Sequence, residues 1–370
     1  MSDKLNDVNP LRHREHAVDL SLWEWVLTLA QATWITSGLV GKAVKGILPG
    51  TRKDDISFHE YIAYQGMRDY QCRLSPVRIQ NLVTSTAKTC SRFAKRHGIP
   101  HTTIKLDDGT VAHRLGPQYA TRTNVFFHGG GYMAPALNEH IDFAFGFSQP
   151  PRKDLAVFVL QYGLVSEGAN QYPCQLQQAT SLLNHLLHTE NISPSSIILL
   201  GDSAGAHLLL SLALHLKHPN PKVSPLNLDG RLAGAVIASP WLNLYSTSES
   251  MRTCKKEDIL DADALVYWAS NFLAGAPSDC WNDPLTAPTE WWSDLPINDI
   301  LITYGDDELL SDECKRLASI LEAAHPSTTA VGCSGELHIH MIMNRFLFLN
   351  KPCESENVYT RWMESHMGTL

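Results

Sequence analysis

Hydrophobic positions along this chain fall into two regimes. From about residue 101 onward, short apolar runs bounded by turn residues alternate with longer stretches of helical periodicity. The runs predict strands at 101–106, 110–115, 124–127, 155–162, 196–200, 232–238, 300–304 and 328–332. Helices are expected between them at 175–188, 204–216 and 312–324, the second apolar nearly all round, as a buried helix would be. Strands alternating with helices predict an α/β domain with a mainly parallel central sheet flanked by helices on both faces. Residues 1–95 read as helical and irregular, with a polar break at 51–55. No charge falls between Trp25 and Gly41, but Thr28, Gln31, Thr33, Thr36 and Ser37 interrupt the stretch, which is shorter than the ~20 residues a bilayer span needs. Trp23, Val26, Leu27, Ala30 and Trp34 share one helix face. The expectation is a helix packed by that face on the body of the protein, with membrane contact as the second reading.

Between 241 and 298 the chain is too long for a simple crossover. Tryptophans 241, 268, 281, 291 and 292 lie there, which suggests an inserted cap or pocket wall. The 370 residues, 44% hydrophobic and 18% charged, suffice for one large α/β domain with an accessory segment. A net charge of −8 and scattered basic residues argue against a nucleic-acid partner or an anionic-membrane surface. The eight cysteines form no C-x-x-C pair. They predict neither a zinc site nor a redox motif, and read as reduced thiols of a cytoplasmic protein. The first seven residues are polar and lack a secretory apolar core.

The most informative stretch is Gly201-Asp202-Ser203-Ala204-Gly205, a G-x-S-x-G between an expected strand and helix. A serine on so sharp a turn holds its hydroxyl out above the sheet, and the tightness admits only small neighbours. A serine hydroxyl needs a base, an acid that orients the base, and donors for the oxyanion. His128-Gly129-Gly130-Gly131, directly after the 124–127 strand, begins 73 residues before the serine motif and matches the HGGG loop of lipases and esterases. It offers Gly129 and Gly130 as oxyanion donors, with Ala204 as the third. After the 300–304 strand come Asp306, Asp307, Glu308, Asp312 and Glu313; the last two suit a helix start and the first two a turn. His338 and His340 follow the 328–332 strand, in the order serine, acid, histidine. Their H-x-H spacing also raises a metal site, but no third ligand is evident.

These motifs together resemble the hormone-sensitive-lipase-like branch of the α/β-hydrolases over about residues 124–346. Supporting segments are Gln161-Tyr162-Gly163-Leu164 with Tyr172-Pro173, Ser239-Pro240-Trp241, Asp283 to Pro288, and Leu295-Pro296. The resemblance implies the α/β-hydrolase fold and a helical cap made of residues 1–95 and an insertion at about 241–281 within a catalytic domain of 96–370. Laid on the family's G-x-x-D-x-L-x-D-E pattern, the acid falls on Glu308, a departure from the commoner aspartate, with Asp307 second. The family's G-x-x-H places the base at His338, ahead of His340. The N-terminal part resembles fungal members found in secondary metabolism.

The implied activity is serine-esterase hydrolysis of small to medium hydrophobic esters through an acyl-enzyme on Ser203, with no metal and no cofactor. The alternatives are acyl transfer, thioesterase action, or condensation or cyclisation in a biosynthetic pathway, with an acyl carrier or synthase as partner, and a non-catalytic small-ligand receptor. A homodimer is an open expectation.

Overall fold

The computed structural model describes residues 15, 18–51, 56–166 and 168–367. The polar break expected at 51–55 therefore lies, apart from Thr51, outside the described residues. Four helices precede the sheet: α1 (Leu22–Ile47), α2 (Phe58–Arg73), α3 (Pro76–Leu82) and α4 (Thr86–His97). Capping boxes start the first two, Ser21 with Glu24 and Ser57 with Glu60.

Eight strands follow: β1 (His101–Lys105), β2 (Val111–Leu115), β3 (Arg122–Phe127), β4 (Leu155–Gln161), β5 (Ile197–Asp202), β6 (Leu232–Ala238), β7 (Ile297–Gly305) and β8 (Thr328–Cys333). They form one sheet in the order β1-β2-β4-β3-β5-β6-β7-β8. Only the pairings of β2 with β1 and β4 are antiparallel; the rest are parallel. All eight expected strands are present, so this is the α/β-hydrolase architecture. β3 to β6 are almost wholly buried because both faces are covered, which explains why they read as continuous apolar runs rather than alternating ones.

The covering helices are α5 (Asn138–Ala144), α6 (Cys174–His188), α7 (Ala204–Lys217), α8 (Glu249–Thr253), α9 (Ala262–Leu273), α10 (Thr289–Trp292), α11 (Ser311–Ala324), α12 (His340–Phe346) and α13 (Glu354–Met367). α7 is buried from Ala204 to Leu216, as its all-round apolar pattern predicts. α8 and α9 occupy the long β6–β7 connection, and its tryptophans Trp241, Trp268 and Trp292 are core residues.

One expectation fails. α1 forms, but Trp23, Val26, Leu27 and Trp34 point away from the body: Trp23 is 68% exposed, while Ile35 is 2% exposed. The face that packs carries Thr28, Ile35 and Gly46 instead. Periodicity locates a stripe, but which stripe faces inward depends on what the neighbouring helix offers. Here α2 offers polar partners: Lys42 Nζ lies 2.8 Å from Asp69, and the Thr36 hydroxyl lies 2.9 Å from that of Tyr70. No helix among the described residues is long and apolar enough to cross a membrane.

Candidate active site

The turn from β5 into α7 holds Ser203 at φ 52°, ψ −119°, a backbone conformation that costs of order 1–3 kcal/mol for a non-glycine residue. Its surroundings enforce it. The Ser203 N–H donates to the Ala238 carbonyl at 2.9 Å, and its carbonyl accepts from His207 and Trp241. A Cβ at Gly205 would sit 1.9 Å from the Phe127 carbonyl oxygen, and one at Gly201 would sit 2.5 Å from the Gly205 carbonyl oxygen. Both glycines of G-x-S-x-G are thus required by close backbone approach.

His338 Nε2 lies 2.8 Å from Ser203 Oγ. The other ring nitrogen, Nδ1, faces Glu308 Oε2 at 3.5 Å, an ion-pair separation rather than a hydrogen bond. Such contacts commonly tighten when a complex forms. Serine, histidine and glutamate are all nearly inaccessible to solvent. Between the two candidate histidines, Ile339 adopts φ 45°, so the segment turns rather than alternating as a strand. His340 opens α12, and the charges acting on its ring are Glu336, Lys351 and Glu60. Among the acids, Asp307 is half-buried, with its N–H donated to the Glu336 carbonyl, and Glu308 is the carboxylate that faces the imidazole.

Two residues that carried no assigned role in the sequence hold this pair in place. The Ser239 hydroxyl donates to Glu308 Oε2 at 2.7 Å and accepts from the Ile339 N–H at 3.2 Å. The fully buried Asp258 accepts from the N–H groups of Ile259 and His338 through Oδ1, and from that of Leu309 through Oδ2. One carboxylate therefore pins the backbone beside both the acid and the base. Its own carbonyl accepts from Arg68 of α2, which ties the helices before the sheet to the same loop. Ser239 had a visible signal in Ser239-Pro240-Trp241. Asp258 is one of four acids between Glu257 and Asp263 in a long connection, and nothing in its local sequence singles it out.

Burial opposes protonation of His338, but Glu308, Asp258 and Asp202 outweigh it and raise its pKa above the ordinary imidazole value. Burial, reinforced by repulsion from Glu308, raises the pKa of Asp258, while His338 and the donated N–H groups oppose that rise.

The glycine loop corrects one expectation. The Gly129 N–H donates to Asp202 Oδ1 at 2.9 Å, so it is directed at the buried carboxylate and not at the space above Ser203. Asp202 Oδ2 lies 3.2 Å from His140 Nε2. Gly130 (φ 102°) and Gly131 line the same cavity as Ser203, and among the described residues neither N–H has an acceptor. The Ala204 N–H, at the first position of α7, likewise has no intrahelical partner.

The cavity over Ser203 has a volume of about 380 Å³ and an overwhelmingly apolar lining. Tyr70 of α2, Leu74 just after it, Leu82 of α3, Met133, and Leu265 and Trp268 of α9 contribute to it. Among the described residues, no three His, Cys, Asp or Glu side chains converge as metal ligands.

Residues 124–342 match the family model described as the α/β hydrolase fold. The chain is 31% identical over 207 residues to an esterase of Acinetobacter venetianus, a match covering 55% of this chain and 63% of that protein. It is 26% identical over 213 residues to steryl acetyl hydrolase 1 of Saccharomyces cerevisiae, covering 54% and 48% respectively. The chain thus spans about half to two thirds of the length of these relatives. Among solved structures, a hormone-sensitive lipase from a metagenome library matches with a TM-score of 0.65 at 22% identity, covering 82% of this chain and 97% of that one. An esterase from the bacterial hormone-sensitive lipase family matches at 0.61 and 20% identity, covering 84% and 98%. At these identities the structural likeness is one of fold.

Proposed function

This chain belongs to the α/β-hydrolase fold family, and on that premise we propose that it is a serine hydrolase of carboxylic esters. The observation that carries the proposal is the 2.8 Å contact between Ser203 Oγ and His338 Nε2, backed by Glu308 and set at the base of an apolar cavity. In this reading Ser203 attacks the acyl carbon as His338 takes its proton. His338 then returns the proton to the departing alcohol, and a water activated by the same imidazole releases the acid. Glu308 holds the imidazole tautomer and stabilises the imidazolium. The oxyanion is received by Gly130, Gly131 and Ala204, since Gly129 is engaged by Asp202.

The helices before β1 and the insert containing α9 act as the cap, because both contribute walls to the cavity. A volume of about 380 Å³ lies in the range that encloses small to medium ligands, and the apolar walls favour hydrophobic esters. Two similar proteins are named an esterase and a steryl acetyl hydrolase, which supports ester cleavage and places acetates of bulky apolar alcohols among the substrates to test.

The test is hydrolysis of a nitrophenyl ester series, C2 to C12, together with acetates of apolar alcohols, by wild type and Ser203→Ala. The expected result is a loss of roughly 10⁴-fold or more in the variant, with the preferred chain length sizing the cavity. Equal turnover by both proteins would overturn the assignment of Ser203. A wild type that neither hydrolyses the series nor reacts with a fluorophosphonate would overturn the esterase reading.

A further inference from the structure

The outward face of α1 is a feature that the esterase reading leaves unused. On a surface helix the apolar stripe normally packs inward and the polar arc meets water. α1 reverses this. At roughly 100° per residue, Leu22, Val26, Leu29, Val40, Val44 and Ile47 fall in one stripe along the whole helix. All six are exposed, Ile47 by 72%. The opposite arc carries the groups that pack: buried Thr28 and Ile35, Gln31 bonded to the Arg73 carbonyl, and Lys42 paired with Asp69. No charged side chain lies on the outward stripe.

The arrangement around the stripe says what covers it. Aliphatic side chains form its centre. Along one edge stand Trp23 and Trp34, 68% and 61% exposed, followed by the exposed Lys45. The Arg73 guanidinium sits 4.8 Å over the Trp34 ring. Apolar centre, tryptophan edge and flanking cations match the layering of a lipid–water interface, where rings and cations sit at headgroup level. A protein partner would need polar groups to set its register, on the order of one hydrogen bond per 100–200 Å². The stripe offers only the hydroxyls of Thr33 and Ser37, and both donate to their own helix, to the carbonyls of Leu29 and Thr33 at 2.8 Å each. The helix is too polar to span a bilayer, but 26 residues give it a length of about 40 Å on which to lie flat.

We propose that α1 is an interfacial lipid-binding helix, which docks the protein on a membrane surface by its outward apolar stripe. The contact is driven by apolar burial and not by attraction to anionic lipid, because the chain carries a net charge of −8. α1 rests on α2, and Tyr70, whose hydroxyl meets Thr36 of α1, also lines the cavity that holds Ser203. Docking would therefore bring a lipid surface to the outer side of the cavity wall.

The test is co-sedimentation of the full chain with vesicles of palmitoyl-oleoyl phosphatidylcholine at 0.15 and 1 M salt, beside the variant Val26→Glu/Val40→Glu. Circular dichroism checks that the variant is folded. The readout is binding and needs no turnover, so it stands or falls separately from the esterase reading. Wild type is expected to partition onto the vesicles at both salt concentrations, and the double variant at least about tenfold less. The proposal is overturned if wild type stays in the supernatant at saturating lipid, or if the variant binds equally well. It is also overturned if wild type sediments without lipid as a dimer that the double substitution dissociates and vesicles do not displace.

Discussion

Around Ser203, the side chains of His338, Glu308 and Ser239 are each directed by another side chain or by a backbone group. Along the outward face of α1, Leu22, Val26, Leu29, Val40, Val44 and Ile47 all stand exposed. Both regions depart from the rule that polar groups face water and apolar groups do not. In the first, Glu308, Asp258 and His338 are buried because they satisfy and charge one another. In the second, Val40 and Ile47 are exposed because α2 meets the opposite arc of the helix, with Thr28, Ile35 and Lys42, and leaves the apolar stripe uncovered. The difference teaches that a burial anomaly resolved within the chain reads as a positioned site, whereas one left unresolved reads as a contact surface.

The sharpest way to break this comparison is at Glu308. If its carboxylate organises the imidazole, Glu308→Gln should lower kcat/KM by roughly 10⁴-fold, as loss of the orienting acid does in a triad. The pH profile should move as well. His338 works as a base only when neutral, so wild-type activity falls as pH drops through a pKa that its carboxylate neighbours hold above the ordinary value. Removing Glu308 weakens the hold on the proton, and the acidic limb of kcat/KM should shift to lower pH. A limb that stays in place, or moves up, would show that Glu308 is not what charges the imidazole.

A smaller effect is expected at Asp258, which touches neither nucleophile nor substrate and acts by positioning. Asp258→Asn keeps the shape but replaces one acceptor oxygen with a donor. It must then abandon either the Leu309 N–H or the pair from Ile259 and His338. A displacement of the His338 backbone of even about an ångström can cost on the order of 10²-fold. Because Asp258 also contributes to the raised pKa of His338, the acidic limb should again move down, by less than in Glu308→Gln. A loss of thermal stability with no change in the limb would reduce Asp258 to a structural residue.

What was legible in the chain follows the same division. The eight strands and the turn at Ser203 were readable because their causes are local. Continuous apolar runs mean a sheet covered on both faces, and within the turn itself a Cβ at Gly201 would sit 2.5 Å from the Gly205 carbonyl oxygen. Gly129 was expected to be an oxyanion donor, but its N–H is engaged by Asp202. The contact that occupies Gly129 joins it to Asp202, 73 residues away, and only the fold brings the two together. Choosing His338 over His340 rested on the family pattern, and the structure supplies a geometric reason in the turn at Ile339. Asp258 left no trace because its partners are backbone N–H groups, which any sequence carries. On α1, periodicity singled out the face of Trp23, Val26, Leu27, Ala30 and Trp34 and assigned it to the body, whereas the packed face was set by what α2 offers.

The smallest predicted effect tests α1 itself, by removing apolar groups from its opposite faces in the lipid-free protein. Ile35 is 2% exposed and belongs to the packed arc, so Ile35→Ala leaves a cavity and should destabilise the protein by about 2 kcal/mol or more. Val40 is 65% exposed on the outward stripe, so Val40→Ala should change stability by no more than about 0.5 kcal/mol. Urea unfolding of both variants against wild type measures the difference. Equal destabilisation would mean that the outward stripe is packed against protein after all, and the contrast between the two regions would disappear. A large effect at Ile35 with none at Val40 would leave the stripe without an intramolecular role in the lipid-free protein. Phosphatidylcholine vesicles should then make Val40 matter: bound lipid adds stability in proportion to affinity, so the wild type should gain more than Val40→Ala on their addition.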